Sequence, residues 1–327
     1  MRNEILKILR DKAPEPVSGE ELAKQLGITR TAIWKHIQTL KKEGYGIEAY
    51  TKKGYALTSV PDKLLPSEIM AHLHTRFVGR AICYEESVTS SNEVLKKLAD
   101  KNAADGTVCV AEEQTGGKGR LARGWFSPKG KGLWFSLLLK PSFLPQEAPK
   151  MTLLSAVAVV RAIREVCQVE ARIKWPNDVV MSRRKICGIL TEMGLNGAKI
   201  REVVIGVGIN VNLKEIPSEL QDKATSLYLE TGKTYDRIQI LAQVLECFEE
   251  NYETFIRTCS LSGMVEEYNK LLANRNQPVR ILDPNQPWEG TALGINEQGE
   301  LLVKDEQGII QTVRAGEVSV RGLYSYV

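Results

Sequence analysis

The sequence predicts a multidomain α+β protein in three parts. A winged helix-turn-helix spans residues 1–62, a central α+β domain with a mixed sheet spans 66–272, and a small closed β-barrel spans 275–327. Three observations carry this reading. The first sixty residues run helix, Gly turn, helix, hairpin. After a Pro-bounded linker at 61–66, strand-like runs outnumber helical ones and come in groups, which points to α+β rather than strict alternation. From about 275, five short strands are separated by tight turns, the pattern of a small barrel. A length of 327 residues suits two or three domains at roughly 150 residues each. With 43% hydrophobic and 26% charged residues, disorder and a short disulfide scaffold are excluded.

In the first part, Ile5, Leu6, Ile8 and Leu9 give residues 3–11 an apolar stripe, and Pro14 and Pro16 stop that helix. Ser18 with Glu21 three residues on is a capping box for a second helix, which Gly27 ends. Thr29 caps a third helix whose apolar side is Ile33, Ile37 and Leu40. Gly44 and Gly46 follow, then a hairpin, 47–50 with 55–57, through Lys52-Lys53-Gly54. Trp34 is expected to pack inward rather than to meet a base.

Charge sharpens this reading. Of 44 basic and 40 acidic residues, six basic and two acidic fall within 29–53. That stretch therefore holds the whole surplus of four, and the rest of the chain is balanced. Arg30, Thr31, Lys35 and Gln38 lie on the outward side of the third helix, opposite its apolar residues. Arg and Gln read base edges, while Lys and Thr grip phosphates. With Thr29 at the helix start and Lys52 and Lys53 on the wing, they form the candidate DNA-contacting set, and operator DNA is the expected partner. The blander alternatives are a solvated helix face or a small protein-binding helical domain.

In the central part, residues 107–111, 132–140, 172–174, 179–181, 188–193 and 203–211 read as strands. Residues 92–100, 153–167, 236–257 and 264–272 read as helices, and polar 214–225 as a loop. In the third part the strands are 279–282, 288–295, 301–304, 309–314 and 317–323. Six cysteines show neither a Cys-x-x-Cys pair nor zinc spacing, so buried reduced thiols in a cytoplasmic protein are expected. Met1 to Arg10 has no signal-peptide core, and the apolar runs are too short to span a bilayer, so no membrane association is expected.

Three motifs carry chemistry. The loop Gln114-Thr115-Gly116-Gly117-Lys118-Gly119-Arg120-Leu121-Ala122-Arg123-Gly124-Trp125 holds four glycines and three cations within 116–124. Glycine lets backbone N–H groups approach an anion, and the cations neutralise it. The loop matches neither a Walker loop nor a dinucleotide fingerprint, and alone it is equally a flexible basic surface loop. The second motif is Lys174-Trp175-Pro176-Asn177-Asp178, followed by Arg183-Arg184-Lys185-Ile186-Cys187-Gly188. A hairpin there would let Asp178 and Lys185 face each other, as a metal-binding acid beside a phosphate-binding lysine or as a plain salt bridge. The third is Ile205-Gly206-Val207-Gly208-Ile209-Asn210-Val211-Asn212, where glycines inside a strand mark a close ligand or a crowded sheet.

These motifs in this order behind a winged helix, with the terminal Gly316-Glu317-Val318-Ser319-Val320-Arg321, resemble the bifunctional biotin protein ligase and biotin operon repressor family over the whole chain. The resemblance implies a central ligase domain and an SH3-like barrel at the end. It implies a two-step reaction: biotin and MgATP give biotinyl-5′-AMP and pyrophosphate, and biotin then passes to a lysine of a biotin carboxyl carrier protein. By matching, Lys185, Arg120 and Asp178 would be catalytic, with Asp178 the candidate Mg²⁺ ligand or the residue that orients Lys185. Ser90, Ser91, Asn92, Gln114, Lys118, Gly119, Arg120 and Lys185 would bind biotin. Gly206, Gly208, Asn210 and Arg321 would contact the nucleotide.

The resemblance also implies that biotinyl-5′-AMP is a corepressor and that its binding favours a homodimer on a two-fold operator. The family loop usually reads Gly-Arg-Gly-Arg-x-Gly-Arg; here Lys118 replaces the first Arg and Ala122 the last Gly. Lysine keeps the charge and loses the bidentate fork, and alanine restricts the backbone. The competing readings are a ligand sensor without ligase activity, a lipoate-type acyl ligase, and a monofunctional ligase with a vestigial winged helix.

Overall fold

The computed structural model describes residues 1–282, 286–314 and 319–322, except for the side chains of Ser319 and Arg321. The chain divides into two compact units, Met1–Lys63 and Leu64–Val327.

The first unit contains α1 (Arg2–Lys12), α2 (Gly19–Leu26), α3 (Arg30–Glu43), β1 (Gly46–Tyr50) and β2 (Gly54–Ser59). Its helix boundaries are chemical. Ser18 accepts from the Glu21 amide at 3.0 Å, and Gly27 closes α2 in the left-handed region at φ +64°. Thr29 accepts from the Ala32 amide at 3.2 Å. Each such cap contributes about 1 kcal/mol. Ile5, Leu9, Leu22, Ile33, Ile37 and Leu40 are all but fully buried, so the predicted stripes face one core. The β1–β2 hairpin is antiparallel, and Tyr55 exchanges backbone bonds with Val17 at 2.8 and 2.9 Å. Gly54 makes that approach possible: at φ +110°, a Cβ there would stand 2.0 Å from the Val17 carbonyl oxygen.

The second unit is built on a seven-stranded mixed sheet. In chain order its elements are α4 (Pro66–His72), β3 (Ile82–Glu85), α5 (Ser91–Asp100), β4 (Val108–Ala111), β5 (Leu133–Leu139), α6 (Lys150–Ala162), β6 (Arg172–Lys174), β7 (Asp178–Met181), β8 (Arg184–Asn196) and β9 (Lys199–Ile209). Then come α7 (Leu227–Thr231), α8 (Arg237–Ile256), α9 (Val265–Leu271), β10 (Pro278–Leu282), β11 (Trp288–Ile295), β12 (Leu301–Lys304), β13 (Ile310–Val313) and β14 (Ser319–Gly322). The strand order is β3-β4-β5-β9-β8-β7-β6. Only β3–β4 is parallel; the other pairs are antiparallel. One face carries α6 and α8, whose apolar residues share the main core with β5, β8 and β9. The other face carries α5 over Cys109, Leu138 and Val204. That leaves the strand region beside the α5 N-terminus open for a site.

Strands β10 to β14 form a separate antiparallel sheet, in the order β13-β12-β11-β10-β14. It is not independent of the larger sheet. Val279, Ile281, Ala292, Leu301 and Val303 belong to the main core, and Trp175 donates to the Gly299 carbonyl at 3.0 Å. The hairpin β8–β9 is longer than the apolar runs predict, and α4, β3 and α7 carry no period that reveals them. Residues 315–318 and 323–327, including Gly316, Glu317 and Val318 of the terminal motif, lie outside the described residues.

Candidate functional site

Two adjoining clefts open where the glycine-rich loop, the β7–β8 hairpin and β9 meet. The first spans about 440 Å³, its open mouth included. It is lined by Ser90, Ser91 and Asn92 at the start of α5, by Gln114, Lys118 and Gly119 of the loop, and by Gly206 and Gly208 of β9. Phe135, Ile189, Leu190 and Val207 supply apolar surface. The second, of about 1530 Å³, is lined by Arg120, Arg123, Lys174, Lys185 and Lys223 against one carboxylate, Asp178. Gly119, Trp125, Asn177 and Lys185 line both clefts and mark their junction.

The sequence explains how these groups are held. Lys174 pairs with Asp178 across β6–β7, and opposite Val179/Val180 a bulge at Ile186 bends β8, so that Lys185, at the start of β8, returns to the same end. Lys185 Nζ then stands 2.6 Å from Asp178 Oδ1, the expected facing pair. It also lies 4.9 Å from the centre of the Trp125 ring, a cation–π distance. Glycine at 208 leaves room for the Trp125 ring, and glycine at 188 leaves room for the end of the Lys185 side chain. A Cβ on Gly188 would be 2.9 Å from Lys185 Nζ, and one on Gly208 would be 2.3 Å from Trp125 Nε1. The indole N–H of Trp125 is buried at the junction with no hydrogen-bond partner among the described residues.

Arg120 donates to Asn177 Oδ1 at 3.3 Å, and Asn177 in turn donates to the Ile189 carbonyl at 3.2 Å. Burial pushes the Arg120 guanidinium below its usual pKa, with Asp178 opposing that shift and Arg123 adding to it. An anion entering the second cleft would reverse the burial effect. The turn that carries Arg120 is tight. Leu121 and Ala122 both have left-handed backbones, at φ +56° and +55°. Ala122 thus adopts, without glycine's freedom, the conformation glycine takes readily.

The wall of the first cleft is a hydrogen-bonded chain. Gln114 Oε1 accepts from the Ser91 amide at 2.9 Å, and Gln114 Nε2 donates to Ser127 Oγ at 3.2 Å. The hydroxyls of Ser91 and Ser136 are 2.6 Å apart, Ser136 donates to Asn92 Oδ1, and Asn92 Nδ2 donates to Glu192 Oε2 at 2.7 Å. Gly206 is small because of this wall: a Cβ there would lie 2.4 Å from Asn92 Oδ1.

The structure brings Ser90, Ser91, Asn92, Gln114, Lys118, Gly119 and Lys185 to one cleft, and Arg120, Asp178 and Asn210 to its neighbour. Gly206 and Gly208, expected on the nucleotide side, line the first cleft, because β9 runs beneath Asn92 and Trp125. Asn210 donates to the Thr225 carbonyl at 2.9 Å, so it also anchors the 214–225 loop, whose Lys223 and Ala224 line the second cleft. Arg321 pairs with Arg280 through the backbone, and its side chain lies outside the described residues; its neighbour Val320 lines the second cleft. Sequence reasoning missed Trp125 and Asn177, although both stand inside the motifs that carry chemistry. Nothing marked Ser136 or Glu192, which sit within strand runs.

In the first unit, Thr29, Arg30, Thr31, Lys35, Lys52 and Lys53 are exposed, and Gln38 is half-buried. Trp34 corrects the expectation that it packs inward: its side chain is 51% exposed. The apolar face of α3 is filled by Ile33, Ile37 and Leu40, which leaves position 34 on the outward side with Arg30 and Lys35.

Among the described residues, no group of three or more His, Cys, Asp or Glu is placed to hold a metal ion, and no helix is long and apolar enough to cross a membrane. All six cysteines are free thiols; four are buried, and Cys83 and Cys259 are half-buried.

Together, a helix-turn-helix unit and a mixed-sheet domain with a polar-walled cleft beside a cationic one define a DNA-binding ligase type of protein. Residues 84–210 match the biotin/lipoate A/B protein ligase family, 2–56 an HTH domain, and 276–321 the biotin protein ligase C-terminal domain. The chain is 40% identical over 313 residues to the bifunctional ligase/repressor BirA of Bacillus subtilis, spanning 94% of this chain and 95% of that one. It is 30% identical to the Escherichia coli protein of the same name, over 93% of this chain and 92% of that one. The solved biotin protein ligase of Aquifex aeolicus in complex with biotin and ATP superposes with a TM-score of 0.65 at 34% identity, covering 74% of this chain and 99% of that one. The chain belongs to the bifunctional ligase/repressor family of biotin protein ligases.

Proposed function

We propose that this chain joins biotin to ATP and passes the biotinyl group to a carrier-protein lysine, and that the adenylate-bound form represses transcription at an operator. One observation carries the ligase reading. A neutral polar wall and a five-cation cleft share the junction residues Lys185, Asn177 and Trp125. A ring bound at the wall would direct its carboxylate tail to that junction, where a nucleotide in the second cleft would present its α-phosphate. Both groups are anions. Lys185, Lys118 and Arg120 offset their repulsion and stabilise the charge that develops in the transition state.

In the first step a carboxylate oxygen bonds to the α-phosphorus, the bond to the bridging oxygen of the β-phosphate breaks, and pyrophosphate leaves. In the second, the carrier lysine's neutral amine attacks the acyl carbon, AMP leaves with the carbonyl–oxygen bond electrons, and the amine gives up a proton. No covalent enzyme intermediate is needed. Burial raises Cys187 above the usual thiol range, which suits an inert core thiol rather than a nucleophile. The donor set fits a Mg²⁺ held chiefly by nucleotide phosphates and water, since Asp178 is the one carboxylate lining the second cleft among the described residues. When bound, that ion supplies charge neutralisation on the phosphates. Asp178 would hold it or hold Lys185 in place.

For repression, the exposed set Arg30, Thr31, Trp34, Lys35, Lys52 and Lys53 supports operator contact, and a two-fold operator would call for a homodimer induced by biotinyl-5′-AMP. The test is one preparation with three readouts: pyrophosphate release with biotin and ATP, carrier labelling with biotin against lipoate, and sedimentation with operator binding. No release would leave a sensor without ligase activity. Labelling by lipoate would indicate the lipoate-type reading, and an unchanged oligomeric state would refute the dimer coupling.

A further inference from the structure

We infer that Glu192, outside the first cleft's lining, is a positioning residue that sets the direction of the hydrogen bonds from Asn92 through Ser136 to Ser91 along its wall and so selects a ring bearing N–H donors. The inference rests on the biotin reading above. Glu192 Oε1 is paired with Lys96 Nζ at 2.7 Å, so its carboxylate is an acceptor only. Its other oxygen, 2.7 Å from the Asn92 amide, admits one orientation: the flipped amide would set oxygen against oxygen. Asn92 Oδ1 therefore faces Ser136 and takes that residue's single hydroxyl proton. Ser136 is fully buried and lies 2.6 Å from Ser91 Oγ, a separation that demands a proton between the oxygens. Ser91 Oγ also lies 3.1 Å from Gln114 Oε1, but that oxygen already accepts from the Ser91 amide, and with its own proton committed to Asn92, Ser136 takes the Ser91 proton across the much shorter contact.

Ser91 then has none left to give, and toward the cleft it only accepts. The Ser91 amide fixes Gln114 in the opposite sense, with the carbonyl oxygen turned to the amide and the NH₂ left to donate. The wall thus presents an acceptor at Ser91 and donors at Gln114 and Asn92. A cyclic urea, with two N–H groups flanking a carbonyl, complements that pattern. A dithiolane ring has neither group, so Glu192 would also supply discrimination between the two acid classes in this family's name.

The test is calorimetric titration of the full chain, without ATP, with biotin and its two mono-N-methyl ureido derivatives. The parent should bind biotin about tenfold or more tighter than at least one derivative. Glu192→Gln should weaken biotin about 10- to 100-fold, the loss expected for a hydrogen bond to a charged group. It should also narrow the gap between biotin and the derivatives to within about threefold, while the KM for ATP and the Tm stay near the parent's. Ser136→Ala should give the same pattern with the Glu192–Lys96 pair intact, and it decides the matter if Glu192→Gln does not fold. Parent-like biotin affinity, or weakened affinity with discrimination unchanged, overturns the proposal, as does an equal rise in the KM for ATP. A parent chain that binds no biotin and releases no pyrophosphate overturns instead the reading on which it rests.

Discussion

Lys185 Nζ lies 2.6 Å from Asp178 Oδ1, and both side chains line the cationic cleft. The pair separates two roles that one substitution would confuse. Lys185→Ala should lower pyrophosphate release by about 10²-fold or more, because among the described residues it removes the one cation common to both clefts. Asp178→Asn should instead shift the Mg²⁺ concentration giving half-maximal rate if the carboxylate holds the ion, or raise the KM for both substrates at unchanged Mg²⁺ demand if it only orients Lys185.

Gly208→Ala is expected to act through Trp125. The new methyl would stand 2.3 Å from the indole nitrogen and 3.1 Å from Cδ1, so the ring must leave the junction. Steady-state kinetics should show the KM for biotin and for ATP rising together, by about tenfold or more, because both clefts use that ring. A rise for only one substrate would contradict the shared junction.

Ala122→Gly and Ala122→Val should diverge. At φ +55°, valine adds roughly 1–2 kcal/mol of backbone strain to the Arg120 turn and glycine removes it. The residue is exposed, so neither change should move the Tm far. Adenylate dissociation, followed after ATP removal, should be several-fold faster with valine and no faster than the parent with glycine.

Glu230 predicts a pH dependence. Burial works to raise its pKa but is outweighed by hydrogen bonds from Ser182 and Thr225 and by the Arg184 cation, so the carboxyl ends below its usual value of 4.5. A group lowered on folding contributes stability that is complete above the unfolded value and is lost as pH falls through the lower folded one. Glu230→Gln should therefore cost about 1 kcal/mol at pH 7, a modest figure because Arg184 is 42% exposed. The difference in Tm between parent and variant should shrink once the pH drops below about 4.5.

Trp34→Ala tests the corrected position of that ring. Its exposure predicts a Tm close to the parent's and weaker operator binding at every salt concentration. Lys52→Ala with Lys53→Ala should weaken binding across sequences alike and flatten the salt dependence by about 0.9 for each phosphate left unneutralised. A Tm several degrees lower for Trp34→Ala, with operator affinity intact, would restore a packing role.

What local chemistry decides is most legible in the sequence. Caps at Ser18 and Thr29 and the left-handed Gly27 are written in consecutive residues, and the winged helix follows from them. The facing of Asp178 and Lys185 is legible because one short hairpin makes it. The junction is harder, since Trp125 reaches β9 and Asn177 meets Arg120 across 57 residues. Ser136 hides in a wholly buried strand, and Glu192 meets Asn92 across 100 residues. Trp34 misleads because an aromatic near an apolar stripe resembles core, and only the completed stripe of Ile33, Ile37 and Leu40 shows there is no room for it.

The residues shared by the two clefts have a thermodynamic consequence. Two separate ligands each surrender translational freedom on binding, whereas one molecule spanning the junction surrenders it once. Its affinity then approaches the product of the two separate ones, as a chelate surpasses its individual donors. A protein with Lys185, Asn177 and Trp125 at the crossing would keep a joined acyl nucleotide far longer than either precursor, and so act as a slow timer set by its own reaction.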